Sequence, residues 1–225
     1  SIRAYASEQL QGAALADAER RHASYYLAWG ERLLKQLDGP KGKQTRRAVG
    51  WELDNLDAVC QRFLDSDPEL AARAALVMAP VMRLIGPLDG HVDLLERTVA
   101  AADAAHDRVD VVVRARLHQA RGHMRRIRAR FAEAREDLES ALELAESAAD
   151  RLLEGLVLED LCMLALDQGE VQAAVSAAKR LTAIADAVGD RRLQAAALFV
   201  TGRSMSFDPS RFAESLDQPI ARIFL

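Results

Sequence analysis

The sequence predicts an all-α protein built as an α-solenoid, a stack of antiparallel helix pairs with about ten or eleven helices in all. Three observations predict it. Apolar residues recur at helical spacing along nearly the whole chain, no segment alternates as a half-buried strand would, and one pattern returns three times at a period of about forty residues.

The first strong helix reads through "HASYYLAWGERLLKQL", where Tyr26, Trp29, Leu33 and Leu37 form an apolar stripe. Gly39 ends it and Pro40 blocks its continuation. The connection "LDGPKGKQTRR" superficially suggests a phosphate-binding loop. Such a loop needs G-x-x-x-x-G-K-[ST] after a buried strand, whereas here only two residues separate Gly39 from Gly42 and Gln44 follows Lys43. The reading is a solvated helix–helix connection, and no nucleotide binding by this chain is expected.

Val49, Leu53, Leu56, Cys60 and Phe63 then step by four, three, four and three, one stripe along one helix. Asp67 before Pro68 and Asp208 before Pro209 each pair an N-cap with proline at the first helical position. Gly86-Pro87, Gly90, Gly169 and Gly189 mark further boundaries. The β-branched run Val111-Val112-Val113 sits in an Arg/Ala/Leu context without alternation and reads as the buried side of a helix.

Three segments superimpose: "GHVDLLERTVAAADAAHDR" from Gly90, "ARFAEAREDLESALELAESAADR" from Ala129 and "GEVQAAVSAAKRLTAIADAVGDR" from Gly169. Each opens on a small turn residue and carries an apolar residue two later: Val92, Phe131, Val171. Small or apolar residues follow at matching offsets: Leu95, Val99, Ala102; Ala134, Leu138, Ala141; Ala174, Ala178, Leu181. Each closes on Asp-Arg, at Asp107-Arg108, Asp150-Arg151 and Asp190-Arg191, and the first copy is one helical turn shorter. Neither helix of such a pair can bury its stripe alone, so the pairs are expected to stack.

Gly122, Phe131, Ala134, Leu138 and Ala141 resemble the signature of the tetratricopeptide repeat. Ala129 stands at the usual turn glycine, Arg125 at a usual aromatic and Cys162 at the next copy's glycine. The resemblance implies a groove lined by the first helix of each pair. Its residues would be Arg116, Gln119, His123 and Arg126 in one repeat and Leu156, Glu159, Met163 and Leu166 in the next. A basic stretch beside an apolar one suits a protein or peptide partner with an acidic group next to an aliphatic anchor. A small-molecule effector is the other class such a groove accommodates.

The first third carries a second resemblance. Ile2, Arg3, Tyr5, Ala6 and Leu10, then Arg21, His22 and Tyr25, then Glu52, Asp54, Asn55 and Leu56 are similar to the region that joins the two halves of bacterial STAND signal-transduction ATPases, including those tied to LuxR-type or SARP-type transcriptional regulators. The resemblance implies a division at residues 1–66, a helical linker following a winged helix, and 67–225, the repeats. It also implies a sensor role in a larger regulator whose nucleotide site lies elsewhere. The chain begins without Met in a helical pattern, which reads as part of a longer protein.

Composition narrows the function classes. Half the residues are hydrophobic and the net charge is −4, which excludes a generally basic nucleic-acid binder but not a local basic face. Cys60 and Cys162, the only cysteines, form no C-x-x-C or disulfide framework, so a reducing, cytoplasmic setting is expected, with both thiols buried. No apolar run is long enough for a membrane span. His118 and His123 are five apart and turn away from each other on a helix, unlike an i,i+4 metal pair, and no nucleophile–base pairing or dinucleotide turn is present. No catalytic residue, metal or cofactor is expected.

Arg114, Arg116, Arg121, Arg125, Arg126, Arg128 and Arg130 crowd one helix, with Arg135 just beyond. Two readings stand: charge pairing with the acidic helix from Glu133 to Glu146, or an anion-binding face for an acidic partner or nucleic acid. No aromatics are interleaved for stacking, which disfavours nucleic acid there. A stand-alone scaffold and a nucleic-acid binder through Arg114–Arg130 are the alternative functions. The apolar tail with Ile220, Ile223, Phe224 and Leu225 reads as a cap on the last repeat or as a homodimer contact.

Overall fold

The computed structural model describes residues 12–37, 39–83 and 88–206, and over these residues the chain is all-α. Among the described residues ten helices are present: α1 Gly12–Leu34, α2 Gly42–Trp51, α3 Leu53–Phe63, α4 Pro68–Met82, α5 Leu88–Ala104, α6 Val111–Ile127, α7 Phe131–Ser147, α8 Arg151–Asp167, α9 Val171–Val188 and α10 Arg191–Ser206. No strand occurs among the described residues. The Ile2–Leu10 motif, Gly86-Pro87, Asp208-Pro209 and the apolar tail lie outside them. The chain divides into two compact units, 1–117 and 118–225, so the division falls inside α6. The turn at residues 66 and 67 joins α3 and α4, which pack together within the first unit.

In the first unit α4 is the central helix, touched by α1, α2, α3 and α5. Its alanines and branched residues make this possible, with Ala71, Ala72, Ala74, Ala75, Val77, Met78 and Val81 all buried. Asp67 caps it by accepting from the Leu70 amide, with Pro68 at the first helical position. The stripe expected on α1 is displaced. Its buried residues are Ala23, Leu27 and Gly30, while Tyr26, Trp29, Leu33 and Leu37 are only half-buried. The cause is close approach: a Cβ on Gly30 would sit 2.4 Å from Val77 Cγ1, so small residues set the contact ridge and the large ones flank it.

The expected continuous helix through Val49 and Phe63 is two helices. Glu52, at φ −107° and ψ 10°, leaves the helical conformation between α2 and α3. Its carboxylate accepts from Tyr26 Oη at 3.1 Å and from Asn55 Nδ2 at 2.7 Å, which fixes the bend. Val49, Leu56, Cys60 and Phe63 nevertheless stay buried across it. Gly42, the glycine that suggested a phosphate loop, is buried at the start of α2. A Cβ there would lie 2.1 Å from the Leu37 carbonyl oxygen, so the residue is small because the chain crosses itself.

From α6 onward the chain is regular. The first helices open at Val111, Arg151 and Arg191 and the second at Phe131 and Val171, each 40 residues after its predecessor. Asp110, Asp150 and Asp190 cap α6, α8 and α10 by accepting backbone amides two or three residues on. This explains the recurring Asp-Arg pair in two copies: Asp150 and Asp190 are caps. In the first copy the cap is Asp110, not Asp107, because the connection there is longer. Val111, Val112 and Val113 fill the first turn of α6 and are half-buried on the way to buried Ala115 and Leu117.

Helices α6 to α9 each end on a left-handed residue, at intervals of 20: Ala129 (φ 56°), Ala149 (φ 54°), Gly169 (φ 74°) and Gly189 (φ 71°). At the first three the following amide reaches back five residues, from Arg130 to Arg125, Asp150 to Ala145 and Glu170 to Ala165, the closing bond of a Schellman turn. Alanine thus holds a glycine conformation at two of the four turns.

All nine repeat positions named at offsets five, nine and twelve are buried, from Leu95, Val99 and Ala102 to Ala174, Ala178 and Leu181. In the second unit α8 packs on α7, α9 and α10, and α9 on α10. Gly122 lets α7 approach: a Cβ there would meet Leu138 Cγ at 2.9 Å. Cys162, in the equivalent place one repeat later, directs its thiol at the Ala174 carbonyl oxygen, 3.4 Å away.

Candidate functional site

The polar residues of α6 beyond Leu117 fall into two rows, each aimed at a different helix. His118, Arg121 and Arg125 are spaced by three and four, and all converge on Asp137 of α7. Gln119, His123 and Arg126 are spaced by four and three and turn to α8. Helical period alone separates the rows, since a shift of one residue rotates a side chain by about 100°.

Asp137 is 2% exposed. Arg121 grips it in a fork, with Nε 3.0 Å from both carboxylate oxygens and Nη2 2.5 Å from Oδ1. Arg125 Nη1 donates at 2.8 Å and His118 Nδ1 lies 3.4 Å away. Burial pushes the carboxyl pKa up, but the hydrogen bonds from His118 and Arg121 and the charges of Arg121 and Arg125 outweigh it, holding the group below its ordinary range.

Asp160 of α8 repeats the arrangement. Gln119 Nε2 donates to it at 3.0 Å and His123 Nδ1 at 2.6 Å, which places the ring hydrogen on Nδ1. Burial again raises its pKa, and His123, Gln119 and the nearby Arg126 bring the net shift below the ordinary value. One turn further, Arg126 Nη1 bonds Asp167 at 2.5 Å.

The groove residues named from the sequence are thus distributed. Gln119, His123 and Arg126 come together on one face of α6 against α8. Arg116 is exposed on the same helix. Glu159 of α8 is half-buried, 3.9 Å from Arg192 Nη2. Met163 is half-buried against the core of α8, α9 and α10, as is Leu156, and Leu166 is buried within that core rather than in a groove.

The arginine cluster is paired extensively. Besides the contacts above, Arg114 reaches Asp103 at 3.2 Å, Arg130 pairs with Glu133, and Arg135 bonds Glu170 at 2.6 Å and Gln168 at 2.7 Å. The acidic helix α7 supplies Glu133 and Asp137, while Asp103, Asp160, Asp167 and Glu170 lie outside α7. The two cysteines are buried, with Cys60 Sγ 3.5 Å from Thr98 Oγ1, and burial raises each thiol to about 11.

Sequence reasoning missed Asp137 and Asp160. The signal was present: Ala134, Asp137, Leu138 and Ala141 share one face by i, i+3, i+4, i+7, and Val157, Asp160 and Leu164 do likewise. A carboxylate inside an apolar stripe calls for a buried cation nearby, and the arginines of α6 were the evident supply.

The motif residues of the first third have local roles. Glu52 and Asn55 fix the α2–α3 bend, Leu56 is buried, and the His22 ring lies 4.7 Å from that of Tyr26. Tyr25 is exposed. No protein-family model matches the sequence, and a search of curated proteins finds no significant match. No helix among the described residues is long and apolar enough to cross a membrane.

Proposed function

We propose that this chain is a tetratricopeptide-like α-solenoid that recognises a protein or peptide partner and catalyses nothing itself. Its place would be the cytoplasmic sensor part of a bacterial signal-transduction ATPase or of a LuxR- or SARP-associated regulator. The observation that carries the repeat reading is the return, every 40 residues, of the same aspartate cap. Units of this kind gain stability from stacking, and the stack leaves a long surface for binding. The regulator reading rests on the order of the motifs at Arg21-His22-Tyr25 and Glu52–Leu56 and is an argument by analogy of fold.

The surface proposed for recognition is the first-helix row of Gln119, His123 and Arg126 with Glu159 and Met163. An incoming carboxylate would take the place of Asp167 at the Arg126 guanidinium, and Met163 would give an adaptable apolar contact. The test is fluorescence polarisation against an array of short peptides that combine one acidic residue with a nearby Leu or Ile. The expected result is a subset of binders whose affinity falls about tenfold, or ~1.4 kcal/mol, in Arg126→Ala and in Met163→Ala at unchanged circular dichroism. Binders unaffected by both substitutions, or an array with no binder, would refute it.

A further inference from the structure

The largest exposed aromatic among the described residues is Trp51, 72% exposed at the end of α2. It completes a row. Lys43, Arg47 and Trp51 lie four apart on α2 and all three are exposed, with exposed Lys41 just before the helix and half-buried Arg46 beside it. The Arg47 guanidinium sits over the Trp51 ring, 4.9 Å from its centroid. From Gly39 to Trp51 the sequence holds four cations and no carboxylate.

These cations differ from the arginines of α6. Arg121, Arg125 and Arg126 each face a carboxylate. Among the described residues no carboxylate pairs with Lys41, Lys43, Arg46 or Arg47. The positive field of α6 is largely spent inside the fold, while that of α2 is directed at solvent.

We infer that the Lys43–Arg47–Trp51 row binds single-stranded nucleic acid, with the cations on phosphates and a base stacked on the indole. The geometry favours this occupant over two others. A membrane surface would need an amphipathic helix with its apolar side free, but the other side of α2, with Gly42, Thr45 and Val49, is buried in the unit where α2 packs on α4. A run of acidic side chains satisfies the charges but brings no π-face for a large open ring already carrying a guanidinium. A single strand offers both: a repeating anionic backbone and flat bases that stack irrespective of sequence. Lys43 and Arg47 are separated by about 6 Å along the helix, so neighbouring phosphates can be served in turn. The net charge of −4 is no obstacle, because the field that matters is local.

The test is titration with a fluorescein-labelled oligothymidylate of about ten nucleotides, within the span such surfaces occupy. Anisotropy on the unaltered chain gives the affinity. Because the chain has only two tryptophans, Trp29→Phe leaves Trp51 as sole emitter. The expected results are quenching of Trp51 and an affinity whose logarithm falls with log salt at a slope of about −1.4, for the two phosphates that Lys43 and Arg47 serve. Lys43→Glu and Arg47→Glu, both at exposed sites, should each weaken binding at least tenfold with circular dichroism unchanged. Four outcomes overturn the inference: no anisotropy change, undiminished affinity in both variants, equal binding of polyglutamate, or a blue shift of Trp51 with anionic vesicles and none of these responses to the oligonucleotide.

Discussion

Four helix ends at residues 129, 149, 169 and 189 take the same left-handed conformation, two with alanine and two with glycine. The perturbation exchanges the residue types: Ala129→Gly and Ala149→Gly in one direction, Gly169→Ala and Gly189→Ala in the other. A Cβ built at Gly169 or Gly189 meets nothing within 4 Å, so packing does not enter and the effect is backbone energy alone. Left-handed backbone costs an L-residue about 1–2 kcal/mol. Glycine, in turn, adds about 0.4–1 kcal/mol of freedom to the unfolded chain. The difference predicts that each alanine-to-glycine change stabilises by ~0.5–1 kcal/mol and each glycine-to-alanine change destabilises by about as much. Urea melts followed by circular dichroism read this directly, as midpoint shifts of about 0.3–0.5 M at unchanged slope. Both alanine substitutions together should add, since the sites are separate turns. A loss of stability in Ala129→Gly or Ala149→Gly would refute the equivalence of the four turns, and with it the twenty-residue helical register.

Leu138 is fully buried beside Gly122, so Leu138→Ala should cost about 2–5 kcal/mol in the same melts, and Ala134→Glu more, because a carboxylate there has neither room nor partner. Asp137→Ala strands two arginines and a histidine around a buried vacancy and should cost about 3–5 kcal/mol. Because the Asp137 pKa is held below its unfolded value of about 3.9, its contribution is present above that pH and lost as pH falls through the folded value. Asp137→Asn should therefore flatten the acid limb of stability against pH, measured by melts between pH 7 and 2.5. Cys60 and Cys162, raised to about 11 and buried, should resist a thiol reagent at pH 8 until urea unfolds the chain, and early reaction of either would contradict its burial.

Local pattern alone was enough for much of this protein. Period-3.6 stripes marked the helices, and the forty-residue recurrence placed Leu95, Ala134, Leu138, Ala178 and Leu181 inside, because a helix that repeats its apolar face must repeat its packing. The cap at Asp67 was equally legible, since a carboxylate preceding a helix has a local partner in its own backbone, whereas Asp150 and Asp190, read only as the closing residues of a repeat, are shown to be caps by the structure. What depended on residues distant in sequence was decided only by the tertiary structure. Glu52 breaks a stripe that reads as continuous because Tyr26, from another helix, holds its carboxylate. Gly30, not Trp29, faces the core of its unit because Val77 comes within reach of it. The arginines of α6 divide between Asp137 of α7 and Asp167 of α8 rather than meeting one acidic face, because each row sees a different neighbouring helix. The chain determines which side of each helix is apolar. Which charge meets which, and so which cations remain at the surface, follows only when the helices are packed, for Coulomb pairing depends on distance in space and not on separation along the sequence.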